Sequence, residues 1–364
     1  MQIILLIVVI VVLIVVHELG HFVMAKLTGM RVDEFGIGYP PRALLLGKVG
    51  ETEYTLNWIP FGGFVRIYGE DAGAAGLGLR AFSSKNNLQK ALVLVAGITM
   101  NLVLAYALIT ASLVLGTPRA LDASDVARAH DTALVVVGVL PGSPAATAGL
   151  LPGDAITSAV TAAGAWQAVD PKSFTDFVRA GGGTPIKLSL KRSGGEASVT
   201  ATPLEGAIAD DAARYALGIQ VATVGIVPLS IGAALGEGAR ITGEATRLTA
   251  VGLVNFLYRM LTFSADLSGV SGPVGIAGVV GSAATQGLGS LLSIMAIISI
   301  NLALINLIPI PALDGGRLLF VIIEGVTRRA IPPRGAQAFN GIGFAFLVLL
   351  MVVVTAHDIF KLVG

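Results

Sequence analysis

Residues 3–21 read IILLIVVIVVLIVVHELGH, an unbroken aliphatic run that ends in two histidines and a glutamate. With the residues up to about Lys26, this segment is long enough to cross the hydrocarbon core of a bilayer, which is about 30 Å thick. The run lacks a basic flank and a small-residue cleavage site, so we predict a transmembrane helix over 1–27 rather than a signal peptide. Ionisable groups in such a helix persist mainly when paired, metal-bound or facing water.

The composition of the whole chain agrees with a membrane protein. Of its 364 residues, 54% are hydrophobic and 13% are charged, whereas about 25% are charged in soluble globular proteins. A wholly soluble domain is therefore excluded. The 24 Lys and Arg residues against 23 Asp and Glu leave a net charge of +1, so nucleic acid is not an expected partner. The absence of Cys excludes disulfides and thiolate metal ligands.

Three further apolar runs predict transmembrane helices over 91–116, 288–310 and 338–360, which makes about four crossings. Lys and Arg are concentrated in two of the connecting segments, 28–90 and 311–337. The positive-inside rule places those segments in the cytoplasm, and both termini and the long segment 116–287 outside it. The predicted class is a polytopic α-helical membrane protein with a membrane-associated β-hairpin or sheet over 28–90 and an inserted α+β domain.

The inserted domain is predicted over 130–203, from β-rich runs separated by glycine turns. Its string GSPAATAGLLPGDAI over 142–156 resembles bacterial PDZ domains, although a generic α+β domain also fits. Between this domain and the third span, residues 204–287 predict an interfacial helix and a glycine-rich connector. The helix carries a charged stripe through Glu237, Arg240, Glu244 and Arg247, and a fifth membrane span is the alternative.

The chemistry is concentrated in His17-Glu18-Leu19-Gly20-His21. Histidines at i and i+4 lie one turn apart on the same helical face, where both can bind one zinc ion, and Glu18 beside them can take a proton from water. The competing interpretation is that the three polar residues mark the interfacial end of the helix. Two histidines leave a hydrolytic zinc site incomplete, because such sites typically use three protein ligands.

Asp314 is the candidate for the third ligand. The third span runs from outside to inside, so it delivers Asp314 just beyond its cytoplasmic end, at the depth of the two histidines. Pro309 and Pro311 interrupt the helix there, and irregular backbone at membrane depth is tolerated only inside protein or beside a cavity. Taken alone, Asp314 is more typical of a helix cap, with Gly315 and Gly316 as turn residues. His130 and His357 lie in the inserted domain and at the far end of the fourth span.

Together, the HELGH motif, Leu313-Asp314-Gly315 and the PDZ-like insertion resemble the site-2 protease family of intramembrane zinc metalloproteases, in its bacterial PDZ-containing branch. The resemblance covers nearly the whole chain. Supporting motifs are NWIPFGGFV at 57–65, FSSK at 82–85 leading to AG at 96–97 and Asn101, and GPVGI at 272–276; Ile98 departs from the usual proline.

The resemblance implies that His17, His21 and Asp314 bind Zn²⁺, that Glu18 is catalytic and that Asn306 holds the substrate or the developing oxyanion. It implies a protease of the bacterial cytoplasmic membrane, with its active site towards the cytoplasm. Substrates would be single-pass membrane proteins, such as anti-sigma factors or signal-peptide remnants, cut in or near their transmembrane segments after a prior extracytoplasmic cut. The PDZ-like domain would either bind a C-terminus or exclude large ectodomains.

We also predict an edge strand over 61–67 that binds the substrate by β-augmentation. Its candidate substrate-binding residues form one run: Phe61, Gly62, Gly63, Phe64 and Val65. The alternative is that these strands only cap the cytoplasmic side. Two other functions remain open, a non-enzymatic PDZ-bearing scaffold and a metal transporter that uses His17, His21 and Asp314 as a passage site. The glutamate between the histidines favours hydrolysis over both, because neither alternative needs it.

Overall fold

The computed structural model describes residues 2–70, 78–121, 125–192, 195–206, 215–227, 229–262, 264, 272–329 and 331–363. The chain forms two compact units, and each is described by itself. The membrane unit comprises Met1–Ser112 and Ile231–Gly364, and the inserted unit comprises Leu113–Ser230.

The N-terminal part of the membrane unit contains two long helices and two long strands. Their bounds are α1, Gln2–Leu27; β1, Val32–Val49; β2, Thr52–Ile67; and α2, Asn87–Leu115. The aliphatic side chains of α1 place its backbone in apolar surroundings. Backbone N–H and C=O groups must then be hydrogen-bonded within the segment, and a helix meets that requirement. Gly29, with φ of +72°, allows the turn from α1 into β1.

The two strands fold into more than a simple hairpin. Residues 32–37 of β1 pair on one side with 63–67 of β2 and on the other side with 53–56, while 42–49 pair with 52–57. Four segments therefore lie in the order 63–67, 32–37, 53–57, 42–49. The two inner segments run parallel to each other, and each outer segment is antiparallel to its inner neighbour. Segment 63–67 forms an edge in the described part of the chain. The β1 strand lies within the predicted sheet region 28–90, but only the strands of the β2 region were located from the sequence, because the glycines and two prolines of β1 are untypical of a strand.

The inserted unit is an α+β domain. Its elements are β3, Pro118–Ala120; β4, His130–Val139; α3, Pro144–Thr147; β5, Ala155–Thr161; β6, Gly164–Trp166; α4, Pro171–Ala180; β7, Ile186–Arg192; β8, Gly195–Ala201; β9, Leu204–Glu205; β10, Tyr215–Ala216; and β11, Ile219–Ile226. The main sheet has the order β3-β11-β4-β5-β7-β8, with β6 beside β5. Its core includes Leu134, Ile186 and Leu188, all fully buried, and the nearly buried Phe174 of α4.

The predicted boundary of this domain, residues 130–203, is too narrow. β11 pairs with β4 along most of its length and with β3 at its end, so it belongs to the middle of the sheet. Residues 219–226 were assigned to a connector because β11 is separated from the preceding strands by a long polar segment. The pairing that recruits β11 is non-local, and a local pattern does not reveal it.

The C-terminal part of the membrane unit is helical: α5, Ile231–Leu261; α6, Pro273–Gln286; α7, Leu288–Leu307; α8, Asp314–Thr327; and α9, Pro333–Val363. In the described part of the chain, four helical segments are long and apolar enough to cross a membrane, namely Ile3–Leu27, Asn87–Leu115, Leu288–Leu307 and Ala338–Ala356. They coincide with the four predicted spans. The helix α5, with its charged stripe, is not among these segments, so they give no support to the fifth-span alternative.

The glycine-rich connector contains a helix, α6, that was not predicted. Ala277 and Val280 of α6 pack against Leu6, Val9 and Leu13 of α1. The N-terminus of α6 is capped from far along the chain, because the buried Asp358 carboxylate accepts hydrogen bonds from the backbone N–H groups of Gly272 (3.1 Å) and Gly275 (2.9 Å). Glycines lower intrinsic helix propensity, and the packing and cap that offset this cost are both tertiary.

Candidate metal centre

The three predicted metal ligands meet at one point in the membrane unit. His17 Nε2 lies 2.9 Å from Asp314 Oδ2 and 3.1 Å from His21 Nε2, and His21 Nε2 lies 3.2 Å from the same carboxylate oxygen. The side chains of both histidines are less than a tenth exposed. In the described part of the chain, this is the one group of three or more His, Asp or Glu side chains with donor atoms close enough to share a metal ion.

The donor set suits a zinc ion. Zinc binds imidazole nitrogen and carboxylate oxygen at about 2.0–2.2 Å with tetrahedral geometry, which places neighbouring donor atoms about 3.4 Å apart. The three observed separations are a few tenths of an ångström shorter, so small side-chain movements open the cluster to that size. Three protein donors leave the fourth tetrahedral position for water or substrate, the pattern of catalytic zinc sites.

Helix α2 contacts the Nδ1 atoms of both imidazoles, on the side away from the cluster. The backbone carbonyl of Val93 lies 2.8 Å from His21 Nδ1 and accepts a hydrogen bond from it, so that His21 Nε2 faces the cluster. His17 Nδ1 lies 3.2 Å from the side-chain amide nitrogen of Asn101, which is fully buried. Contacts of this kind set the tautomer and ring direction of metal-binding histidines. From the sequence, Asn101 was only one of the motif residues that resemble the family, and no role was predicted for it.

Two glycines allow α1 and α2 to approach closely at the cluster. A Cβ atom on Gly20 would lie 2.4 Å from the carbonyl oxygen of Ala96, and one on Gly97 would lie 2.4 Å from His21 Nε2 and 2.9 Å from His17 Cε1. Any side chain at Gly97 would therefore occupy the space of the imidazoles. Small residues are the usual means of close helix packing in membranes. The spacing of Gly97 and Asn101, one helical turn apart, was the available sequence signal.

The segment between α7 and α8 places Asp314. Pro309 and Pro311 end the helical hydrogen bonding of α7, and Ala312 adopts a left-handed conformation with φ of +71°. The first turn of α8 then packs so closely on this segment that Cβ atoms on Gly315 and Gly316 would lie 2.2 and 2.3 Å from backbone oxygens. The double glycine after Asp314 is thus required for packing.

The charge state of Asp314 suits a ligand. Burial by itself would raise the pKa of its carboxyl, but the hydrogen bonds and charges of His17 and His21 outweigh burial and hold the pKa well below its usual range. The carboxylate is therefore ionised throughout the neutral range, ready to coordinate a cation.

Glu18 lies half-buried beside the metal ligands, at the edge segment of β2. A Cβ atom on Gly63 would lie 3.5 Å from Glu18 Cγ, so the backbone of β2 passes directly over this side chain. The carboxylate makes no hydrogen bond to any residue that the structure describes. The Arg317–Glu70 ion pair, which joins α8 to the segment after β2, is close enough to act on the charge of Glu18. Glu18 is thus poised beside the cluster without belonging to it.

The predicted substrate-binding residues lie at this edge. Phe64 and Val65 pair with Gly36 and Phe35 of β1. Gly62, with φ of +116°, lies under the ring of Tyr39, where a Cβ atom would come within 2.4 Å of the ring. Phe61 belongs to the backbone of β2, but its side chain lies outside the described residues.

The other predicted residues lie apart from the cluster. Asn306 is half-buried in the last turn of α7 and makes no hydrogen bond to His17, Glu18 or Asp314. His130 begins β4 of the inserted unit. The side chain of His357 lies outside the described residues, and its neighbour Asp358 caps α6. Neither histidine joins a metal group in the described part of the chain.

The inserted unit has a candidate site of its own. A shallow groove lies between α4 and β11, lined by Phe174, Thr175, Val178, Tyr215, Ala216, Leu217, Gly218, Ile219 and Val221. β3 pairs only with the last residues of β11, so 219–223 keep one edge without a strand partner in the described chain. An apolar groove beside an unpaired edge is suited to an extended peptide.

A family profile and several known proteins match nearly the full length of this chain. The sequence profile of peptidase family M50 matches residues 5–350. A Clostridium perfringens protein named as a zinc metalloprotease is 36% identical over 352 residues, 95% of this chain and 94% of that protein. A similarly named protein of Clostridium acetobutylicum is 34% identical over 350 residues, with 95% and 93% covered. The zinc metalloprotease RasP of Oceanobacillus iheyensis is 28% identical over 428 residues, with 95% and 96% covered.

These matches agree with the four apolar helices and with the convergence of the HELGH motif and Asp314. The chain belongs to peptidase family M50, the family of the site-2 proteases.

Proposed function

We propose that this protein is a zinc-dependent intramembrane endopeptidase that hydrolyses peptide bonds in or near the transmembrane segments of single-pass membrane proteins. The observation that carries the proposal is the convergence of His17 Nε2, His21 Nε2 and Asp314 Oδ2 beside Glu18, on a helix apolar enough to span a bilayer. Family membership supports zinc metalloprotease activity. The apolar surroundings of the cluster support a substrate that is itself a membrane segment.

His17, His21 and Asp314 would hold the zinc ion. When bound, zinc polarises the scissile carbonyl and makes water a stronger nucleophile near neutral pH. Glu18 accepts the proton of the attacking water and returns it to the leaving amine, which a single carboxylate beside the cluster can do in sequence. Asn306, from the last turn of α7, is proposed to donate a hydrogen bond to the substrate or to the developing oxyanion.

The edge segment 63–67 is proposed to hold the substrate extended. A helical substrate hides its peptide bonds in its own hydrogen bonding, whereas pairing with a strand edge exposes them. Gly63 places this edge directly over Glu18, which supports delivery of the bond to the proton acceptor. Val65→Pro should cut proteolysis severely while zinc binding persists; proteolysis at the wild-type rate would refute the edge role.

The membrane location is proposed to be the bacterial cytoplasmic membrane, with the cluster towards the cytoplasm and both termini and the inserted unit outside. The basic residues of 28–90 and 311–337 support this orientation. Exposed apolar side chains on the hairpin, including Leu44, Leu46 and Trp58, support its insertion into lipid. Anti-sigma factors and signal-peptide remnants, already shortened by an outside cut, are the proposed substrates.

The groove of the inserted unit favours recruitment of an extended peptide over simple exclusion by size. Thr175→Arg would place a charge in the groove at a half-buried position. Slower cleavage of shortened substrates is expected from this variant if the groove recruits them. Unchanged cleavage of shortened substrates, together with new cleavage of uncut ones after deletion of 130–203, would instead indicate a barrier.

Glu18→Gln tests the enzymatic proposal directly. The purified full-length protein in detergent should contain one zinc per chain in both wild type and variant, because Glu18 is not a ligand. Only the wild type should cleave a single-pass substrate, and the loss should be at least ~100-fold, as expected for removal of a general base.

Matched variants separate the competing functions. Asp314→Asn should lower zinc content, unlike Glu18→Gln. A transporter would carry zinc into liposomes and leave membrane peptides uncut, and a scaffold would keep its function in both variants. Either result would overturn the proposal.

A further inference from the structure

The face of His17 that points away from the cluster is covered by α2 and α7. Asn101 is fully buried, with its amide nitrogen 3.2 Å from His17 Nδ1. Its Oδ1 is buried and has no hydrogen-bond partner among the described residues. Ser299 of α7, also fully buried, donates from Oγ to the backbone carbonyl of Asn101 at 2.8 Å. Helix α2 therefore holds the buried Asn101 amide against one nitrogen of His17, and Ser299 of α7 fixes the α2 backbone at this position.

The two nitrogens of His17 have different tasks. Nε2 faces His21 and Asp314, so it is the nitrogen that can bind a metal ion. A neutral imidazole carries one proton, and Nε2 is free to bind only when that proton is on Nδ1. The Nδ1–H group is then a buried donor, and a buried donor without an acceptor destabilises that tautomer.

An asparagine side chain can serve either tautomer. Its NH₂ group donates to Nδ1 when the imidazole proton is on Nε2, and its oxygen accepts from Nδ1–H after the amide turns by half a rotation. His21 meets the same requirement through the carbonyl of Val93, a backbone acceptor that no side-chain substitution at Val93 removes. His17 depends instead on a side chain, and that side chain is Asn101.

We propose that Asn101 is a positioning residue for the metal centre. Its Oδ1 accepts a hydrogen bond from the Nδ1–H group of His17, which keeps the proton on Nδ1 and leaves Nε2 free for zinc. The inference rests on the proposed function in one respect, that His17 binds the metal. A space-filling role for Asn101 predicts different consequences of substitution. Packing depends on volume and polarity, whereas tautomer control depends on one hydrogen-bond acceptor.

Zinc affinity of the full-length protein, measured in detergent by competition with a chelator, separates these roles. Asn101→Leu has the same number and branching of side-chain heavy atoms and no acceptor, and its zinc affinity should fall about 10–100-fold, as for other groups that orient metal ligands. Asn101→Asp keeps an acceptor at the same place and should stay within about threefold of wild type. A packing role predicts the reverse order, with Leu tolerated and the buried charge of Asp harmful.

Thr99→Val provides a control on an exposed position of the same helix and should leave zinc affinity unchanged. If Asn101→Leu does not fold, as judged by thermal unfolding, Asn101→Ala replaces it with the same expected loss. The visible absorption of the Co²⁺-loaded protein gives a second readout. Its ligand-field bands should shift in Asn101→Leu and match wild type in Asn101→Asp.

The outcomes distinguish this inference from the proposed function. A wild-type protein that binds no zinc overturns the proposed function itself. A wild type that binds one zinc, with Asn101→Leu binding it equally well, overturns only the role of Asn101.

Discussion

The membrane unit and the inserted unit differ in how many of their large apolar side chains are exposed. In the inserted unit, Leu134, Ile186 and Leu188 are fully buried in one core. In the membrane unit, Ile3, Ile4 and Val8 of α1 are more than half exposed, whereas the fully buried positions between α2 and α7 include Asn101 and Ser299. Lipid removes the hydrophobic drive for helices to associate, so small and polar residues form the contacts instead.

This contrast agrees with the position of the proposed metal centre in the membrane unit. Helices that meet through glycines and hydrogen bonds leave room for two imidazoles, a carboxylate and an amide in the interior. A core of interlocked leucines and isoleucines offers no such room, because protein interiors pack as densely as organic crystals. Contacts made by small and polar residues thus account both for the packing of these helices and for the space that the polar side chains of the site occupy.

The largest expected effect comes from adding one methyl group to the polar interface. Gly97→Ala places a Cβ atom 2.4 Å from His21 Nε2, so zinc content should fall to background and cleavage should cease. Metal analysis of the purified protein checks this. Gly278→Ala in α6 is the matched control, because a Cβ atom there meets nothing within 4 Å. If Gly97→Ala keeps one zinc per chain, the close approach of α2 to the ligands is not essential.

A smaller effect is expected from opening a cavity in the apolar core. Leu188→Ala should lower the free energy of unfolding of the inserted unit by about 2–5 kcal/mol and leave zinc content unchanged. The buried Trp166 reports unfolding of this core, in a background where the exposed Trp58 is replaced by Phe. Val12→Ala, at a position 39% exposed on α1, should have little effect on stability. A larger loss from Val12 than from Leu188 would reverse the comparison.

The smallest effect concerns a charge in the inserted unit. Asp154 is 1% exposed and accepts hydrogen bonds from Arg192 at 2.6 and 2.7 Å. The Arg192 hydrogen bonds outweigh burial and lower the pKa of this carboxyl. A depressed pKa stabilises the folded state above the unfolded-state value, about 3.9, and this contribution is lost as the pH falls through the folded-state pKa.

Asp154→Asn should therefore cost about 1–3 kcal/mol at neutral pH and lose part of the acid sensitivity of the wild type. Unfolding followed by Trp166 fluorescence between pH 7 and pH 3 measures both. Equal acid sensitivity in the two proteins would show that Asp154 does not contribute to the pH dependence.

The candidate site could be predicted in part because its signals are local. Two histidines and a glutamate within one turn of an apolar helix indicate a zinc site from the local sequence. Depth made Asp314 the candidate for the third ligand, since membrane topology limits which residues reach a given level, and a helix cap was the alternative. The role of Asn101 could not be predicted, because an asparagine in an apolar helix has no local pattern that names its partner.

The same division holds for the fold. Length and hydropathy suffice for the four apolar helices, because the bilayer sets both. β1, β11 and α6 were missed, and each depends on contacts with distant segments: β1 with two parts of β2, β11 with β4, and α6 with α1 and Asp358. Local propensity competes poorly with such contacts, as glycine-rich strands and helices show.

By itself, the sequence determined which segments are apolar enough to cross a membrane and which helix carries the HELGH motif, since both depend on neighbouring residues and on the lipid solvent. Only the tertiary structure decided that Gly97 and Asn101 of α2 shape the cluster and that residues 63–67 form an edge over Glu18. These features arise where segments distant along the chain meet, and the free energy of such contacts depends on shapes and hydrogen bonds that exist only after folding.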